Sequence, residues 1–184
     1  KILVRIACLG YAVPGTVVAL SLLKPIGWFD GIAGGWIEHF SGAPIGLILS
    51  GSTTVLVYAY VVRFLAIGSG TLEAGFSKIS YSIDDAAHSL GANKNKVAWQ
   101  IYLPLSKQTL IAAMLLTFID CVKELPATLL LRPINFETLA THLYGEASRG
   151  TYETGALAAL LIVLMALIPI VVLIRYGAKR KVKR

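Results

Sequence analysis

The segment Asp85-Ala86-Ala87-His88-Ser89-Leu90-Gly91, followed after nine residues by Ile101-Tyr102-Leu103-Pro104, lies between two long apolar runs and reads as a docking loop. Ser82, Asp84 and Asp85 carry side-chain oxygens that suit a helix start, where unpaired N–H groups and the positive end of the dipole favour acceptors. Gly91 is expected to stop that helix, because a residue without Cβ enters the left-handed region easily, and Asn93 and Asn95 beyond it tolerate turns. A second short helix is predicted from about Lys94 to Tyr102, closed where Pro104 disfavours helical geometry at Leu103. The unit is then two short helices joined at a glycine elbow, with Ala86, Ala87 and Leu90 on one narrow face that suits insertion into a partner's groove.

Working outward, hydrophobic residues make up 56% of the 184-residue chain and mean hydropathy is +0.71. That is too apolar for a soluble domain of this length, so membrane insertion is the default. The net charge of +7 does not point to nucleic acid, because the basic residues flank apolar runs and form no surface interleaved with aromatics. Cys8 and Cys121 are far apart and fit neither a disulfide framework nor a zinc site. The chain enters an apolar run directly after Lys1, without Met or a signal-peptide cleavage pattern, which points to the later part of something longer.

About 20 apolar residues cross a bilayer, and four runs qualify as spans: 2–23, 42–65, 108–131 and 155–175. Pro14 is expected to kink the first. The segment from Lys24 to Ser41, with its glycines, Trp28, Asp30 and Trp36, reads as extracytoplasmic. Gly46 to Thr53 spells G-x-x-x-x-G-S-T, close to a phosphate-binding loop, but Ser52 stands where a lysine is needed and no strand precedes it. No nucleotide site is therefore expected on this chain. The third span carries Asp120, Lys123 and Glu124, followed by Pro126. Each charge near the bilayer centre costs at least about 2.5 kcal/mol, so these three must face protein or water. They line a translocation path or form a buried ion-pair cluster. An amphipathic helix is expected from about Glu137 to Ser148. Its His142 and Glu146 share a face but do not by themselves make a metal site. With the basic tail inside, 13 of the 17 Lys and Arg fall on the cytoplasmic side, Arg63 among them, and so does the 66–107 loop.

The loop resembles the E-A-A, three residues, Gly, nine residues, Ile, one residue, Leu-Pro pattern of permeases of binding-protein-dependent ABC importers. Asp85 replaces the Glu, keeping the charge with a shorter reach, while Ala86, Ala87, Gly91, Ile101, Leu103 and Pro104 fall in register. The stretch from Lys123 to Pro133 with Phe136 to Thr141 is similar to the iron(III) members, and the likeness to their carboxy-terminal half runs from about Tyr11 to Ile174. The resemblance implies an all-α membrane protein, a type I ABC importer transmembrane domain, partial, with about four spans and a coupling-helix loop. Asp84, Asp85, Ala86, Ala87, Leu90, Gly91, Ile101, Leu103 and Pro104 would dock on an ATP-binding subunit, which exists as a dimer and binds the ATP and Mg.

No catalytic residue, metal ligand or cofactor is expected on this chain, so it is not an enzyme. Further implied partners are a second permease half or subunit, a periplasmic binding protein and the lipid bilayer. The implied location is a bacterial inner membrane, crossed several times, with both ends of the chain cytoplasmic. Thiamine and polyamine permeases share the architecture. A secondary transporter or channel would bury the same charges without needing the loop, and a membrane scaffold would tolerate their neutralisation.

Overall fold

The computed structural model describes residues 10–42 and 46–181, and these form eight α-helices with no strand among the described residues. They are α1 (Gly15–Ser41), α2 (Thr53–Phe76), α3 (Tyr81–Ser89), α4 (Lys94–Val97), α5 (Leu103–Val122), α6 (Pro126–Leu131), α7 (Leu139–Ser148) and α8 (Tyr152–Lys181). A π-helical turn, Ala98–Tyr102, joins α4 to α5. Four helices are long and apolar enough to cross a membrane: Gly15–Ser41, Thr53–Phe76, Lys94–Val122 and Tyr152–Arg175. Exposed Leu, Ile, Val, Phe and Trp side chains cover α1, α2 and α8, as expected where the solvent is lipid rather than water.

The helices depart from the expected spans, each time for a local reason. The run 2–23 is not one helix. Pro14 adopts an extended ψ of 141° and the helix restarts behind it, so proline breaks the run rather than kinking it. Residues 2–9 of that run lie outside the described residues. Beyond Leu23, α1 continues through the segment expected to be an extracytoplasmic loop, with Pro25 inside it. Glycine in a helix costs only about 1 kcal/mol against alanine, and the spacing of Trp28, Ile32, Trp36 and Phe40 maintains a helical stripe. The turn comes at Gly42, with φ +68°, where only a residue lacking Cβ is unstrained.

The returning segment is fastened to α1 by one side chain. Asp30, 4% exposed, accepts hydrogen bonds from the backbone N–H of Leu49 (2.8 Å) and Ser50 (2.7 Å). The near-match to a phosphate loop is thus a real anion-holding turn, and its anion is the chain's own carboxylate. Ser52 then caps α2 by accepting from Val55 N–H.

The core lies where α1, α2 and α6 meet: Val18, Ala19, Val55, Leu56, Ala59, Ala127 and Leu131 are buried together. Helix α5 runs back along α2, with Gly75 of α2 so close to Thr109 of α5 that an added Cβ would stand 2.3 Å from Thr109 Cγ2. Helix α8 packs on α5 and on α7. The α3–α4 loop therefore sits at one end of α5 and the α6–α7 connection leaves from the other.

Candidate functional site

In the loop between the second and third candidate spans, α3 begins one residue before the expected cap. Ser80 Oγ accepts the N–H of Ser82, so Ser80 caps the helix, and Ser82, Asp84 and Asp85 occupy its first turns, where the Asp85 carboxylate complements the dipole. The helix ends at Ser89 and Gly91 takes φ +76°. Asn93 starts the next helix by accepting Lys96 N–H at 2.8 Å. Of the three residues expected on one narrow exposed face, Leu90 is 88% exposed and Ala86 is exposed, but Ala87 is only 6% exposed. Ala87 is spent inside the chain, so Ala86, Asp85 and Leu90 form the presented surface. Leu103 and Pro104 are exposed and Ile101 is half-buried.

Pro104 does not close the segment as expected. The helix continues through it, so the chain is helical from Lys94 to Val122. Proline is tolerated in the first turn of a helix. Here it follows directly on a π turn in which Leu103 N–H reaches back to Ala98 C=O. That wider register takes up the strain a mid-helix proline would impose.

The second cluster gathers around a helix break. The expected span 108–131 is two helices, α5 ending at Val122 and α6 starting at Pro126. Pro126 has no N–H to donate and disfavours helical geometry at Leu125. Glu124 is 5% exposed and its Oε2 lies 3.3 Å from Arg63 Nε of α2, while its Oε1 accepts Ala127 N–H at 3.1 Å. One carboxylate thus neutralises a buried cation and caps α6. Asp120 and Lys123 form a separate pair, Nζ to Oδ1 2.5 Å, with Lys123 62% exposed and Asp120 17%. Of the three charges read from sequence, two face an accessible surface and the third is locked inside.

Arg63 fixes the depth of this break. It is the eleventh of 24 residues in α2, about 15 Å from one end and about 20 Å from the other at 1.5 Å per residue. The break beside it therefore lies near mid-length of a candidate span. A charge still followed by Phe64, Leu65, Ala66 and Ile67 was the available signal. Reading Arg63 as the cytoplasmic margin of the run ending at Leu65 hid it. Gly15 also belongs to the cluster, since a Cβ there would stand 2.0 Å from Arg63 Nη1 and 2.7 Å from Glu124 Oε1. Tyr60, one turn before Arg63, meets Thr128 of α6 at 2.5 Å, and Thr128 Oγ1 donates to Glu124 C=O at 2.9 Å.

Beyond the break, Arg132 pairs with Glu137 at 3.0 Å, and Glu137 in turn meets His142 at 3.3 Å. Helix α7 begins later than expected, at Leu139, behind a reciprocal Thr138–Thr141 cap. Glu146 does not join His142. It accepts from Thr151 (2.6 Å), Thr154 and Arg149, and these donors hold its carboxyl down at about 2. No group of three or more potential metal ligands exists among the described residues.

Helices throughout the described residues, four candidate spans, a helix–glycine–helix loop at one end and a buried carboxylate at a mid-length break define a multi-pass membrane protein. The whole chain, residues 1–184, matches the profile of the binding-protein-dependent transport system inner membrane component, and the protein belongs to that family. It is 31% identical over 175 residues to the Fe(3+)-transport system permease protein FbpB 2 of Haemophilus influenzae, covering 95% of this chain and 31% of that one. The ferric transport system permease protein FbpB of Actinobacillus pleuropneumoniae is 26% identical over 170 residues, 91% of this chain and 22% of its own. The maltose/maltodextrin transport system permease protein MalG of Escherichia coli is 32% identical over 118 residues, 64% of this chain and 39% of its own. The chain thus spans a third or less of the ferric relatives' length. No solved structure matches it.

Proposed function

We propose that this chain is the membrane-embedded permease part of an iron(III) ABC importer. The observation that carries the reading is the similarity to the Fe(3+)-transport permease across 95% of the chain, the Lys123–Pro133 stretch included. In this reading a binding protein delivers the ion outside, and an ATP-binding subunit that holds ATP and Mg docks on the loop from Asp84 to Pro104. This chain's own part is mechanical. Asp85, Ala86 and Leu90 seat the loop, Gly91 gives the elbow, and Ile101, Leu103 and Pro104 lead into α5. Two nucleotide states move the path only if they dock this loop with different free energies.

Asp120 and Lys123 then face the translocation path at the α5–α6 break, where unwound backbone and accessible charge are tolerated only against water or protein. The location is the inner membrane of a bacterium. The loop and both ends lie inside, supported by the basic tail Arg175 to Arg184 and by Lys78, Lys94, Lys96 and Lys107 in the loop. Arg63, lying within α2, no longer counts toward that asymmetry. A second permease half completes the path.

The test is uptake of radiolabelled ferric ion into vesicles holding the complete transporter. ATP-dependent, vanadate-sensitive uptake is expected, with loss of at least ten-fold on Lys123→Ala. The similarity to MalG keeps a permease for another small solute as the second reading. Uptake of a sugar or polyamine with no ferric flux would favour it, and flux indifferent to vanadate would favour an ion-gradient transporter.

A further inference from the structure

Arg63 is the one charged residue in α2 before Glu73, and it lies beside the break rather than at a helix end. Its side chain is 18% exposed and its neighbour Phe64 stacks under it at 5.7 Å. Nε and Nη1 are sealed from solvent, and neither meets hydrogen-bond geometry. Nε is nonetheless 3.3 Å from Glu124 Oε2, so the contact is an ion pair held by charge and shape rather than by a saturated fork of hydrogen bonds. Three elements close on it. Helix α2 supplies Arg63, the α5–α6 link supplies Glu124, and α1 supplies Gly15, whose missing side chain leaves room for Nη1.

A buried pair of this kind adds little stability over apolar residues of equal volume, but removing one partner strands the other. What it specifies here is position. Glu124 is one residue beyond Lys123 and also caps α6, so wherever Arg63 draws Glu124, both the start of α6 and the Asp120–Lys123 pair follow.

We propose that Arg63 is a positioning residue for the solute path: through its ion pair with Glu124, seated against Gly15, it holds the α5–α6 break in place and so sets where Asp120 and Lys123 are presented. The assignment of Asp120 and Lys123 to a path rests on the importer reading. The holding of the break does not.

The experiment uses the complete transporter reconstituted in lipid vesicles, and two variants. Arg63→Met/Glu124→Gln removes the ion pair, strands no charge and keeps a carbonyl acceptor for Ala127 N–H. Gly15→Ala keeps both charges and places a methyl 2.0 Å from Arg63 Nη1 and 2.7 Å from Glu124 Oε1, wedging the pair apart. Amide hydrogen exchange is followed over residues 123–132, beside the melting temperature and ATP-driven ferric uptake. Both variants are expected to melt close to the wild type, exchange at least ten-fold faster over 123–132, and lose at least ten-fold in uptake. If the double variant fails to accumulate, Gly15→Ala decides. Wild-type exchange over 123–132 in a folded variant overturns the proposal, since capping by Glu124 would then suffice. A wild-type transporter that takes up no ferric ion with ATP sinks the importer reading instead, and leaves the exchange result standing.

Discussion

The hydroxyl of Thr128 has a single proton, and it goes to Glu124 C=O, so the hydrogen in the Tyr60–Thr128 contact comes from Tyr60. The relay runs Tyr60 O–H to Thr128 Oγ1 to the Glu124 carbonyl, in a place where Thr128 is fully buried. Thr128→Val deprives the Tyr60 O–H of its acceptor, and an orphaned donor costs about 1–3 kcal/mol. Tyr60→Phe leaves Thr128 still donating, and costs less. Thermal unfolding in detergent is expected to rank the two in that order, and the reverse order would mean that Tyr60 is the acceptor. Neither residue could be singled out from sequence. A Tyr and a Thr 68 positions apart carry no local pattern, and only the return of α6 onto α2 brings them together. Lys123, Glu124 and Pro126 were legible because charges and a proline in an apolar run violate the rule of the run. Their division of labour was not, because it depends on Arg63 and Gly15 from other helices.

Among the elements, the starts of both loop helices and the glycine elbow between them were readable to within a residue or two, since caps and elbows are local chemistry, while the end of the second was not, because the π turn carries the helix through Pro104. The burial of Ala87 was not, because which face of a nine-residue helix turns inward depends on what lies beneath it. Leu90→Glu places a charge on the presented face without touching the fold, and is expected to lower co-purification of the ATP-binding subunit at least ten-fold with insertion unchanged. Gly91→Val meets φ +76°, a conformation that costs a side-chain-bearing residue roughly 1–2 kcal/mol. It should weaken docking by distorting the elbow. Normal co-purification of both variants would remove the loop from the docking surface.

At the opposite end of α5, the α7–α8 hairpin closes over Glu146, with Gly155 of α8 near enough that a Cβ would touch Glu146 Cβ at 3.2 Å. The Glu146 carboxyl is lowered from 4.5 to about 2 by donors from Thr151, Thr154 and Arg149. Its contribution is full above about pH 4.5 and disappears as pH falls toward 2. A spin-label distance across the hairpin should therefore hold steady from neutral pH to about 4.5 and broaden below it. Glu146→Gln should give a distance that no longer depends on pH in that range.

For the whole molecule, the class of fold was written in composition and in the four apolar runs, while their ends were not. Hydropathy reports where lipid can be met, but helices end where prolines, glycines and side-chain caps act. Thus α1 outruns its apolar window to Gly42 and α5 stops inside its own at Val122. The arrangement puts Leu90 and Ile134, 88% and 92% exposed, at opposite ends of α5. With Cys8 and Cys121 replaced by serine, Ile134→Cys should react with an impermeant thiol reagent on intact spheroplasts, and Leu90→Cys only after permeabilisation. Labelling of both from one side would refute the topology.

The unbroken helix from Lys94 to Val122 has a mechanical consequence. Its 29 residues make a strut of about 43 Å at 1.5 Å per residue, with one tip at the Asn93 cap and the other at the charged break. Such a strut behaves as a rocker arm. A tilt of about 5° around its midpoint swings each tip roughly 2 Å in opposite senses, a stroke comparable to the helix shifts that switch protein interfaces. Pushing at the loop tip would then arrive at the charged break as displacement, with nothing soft in between except the single wide turn at Ala98–Tyr102.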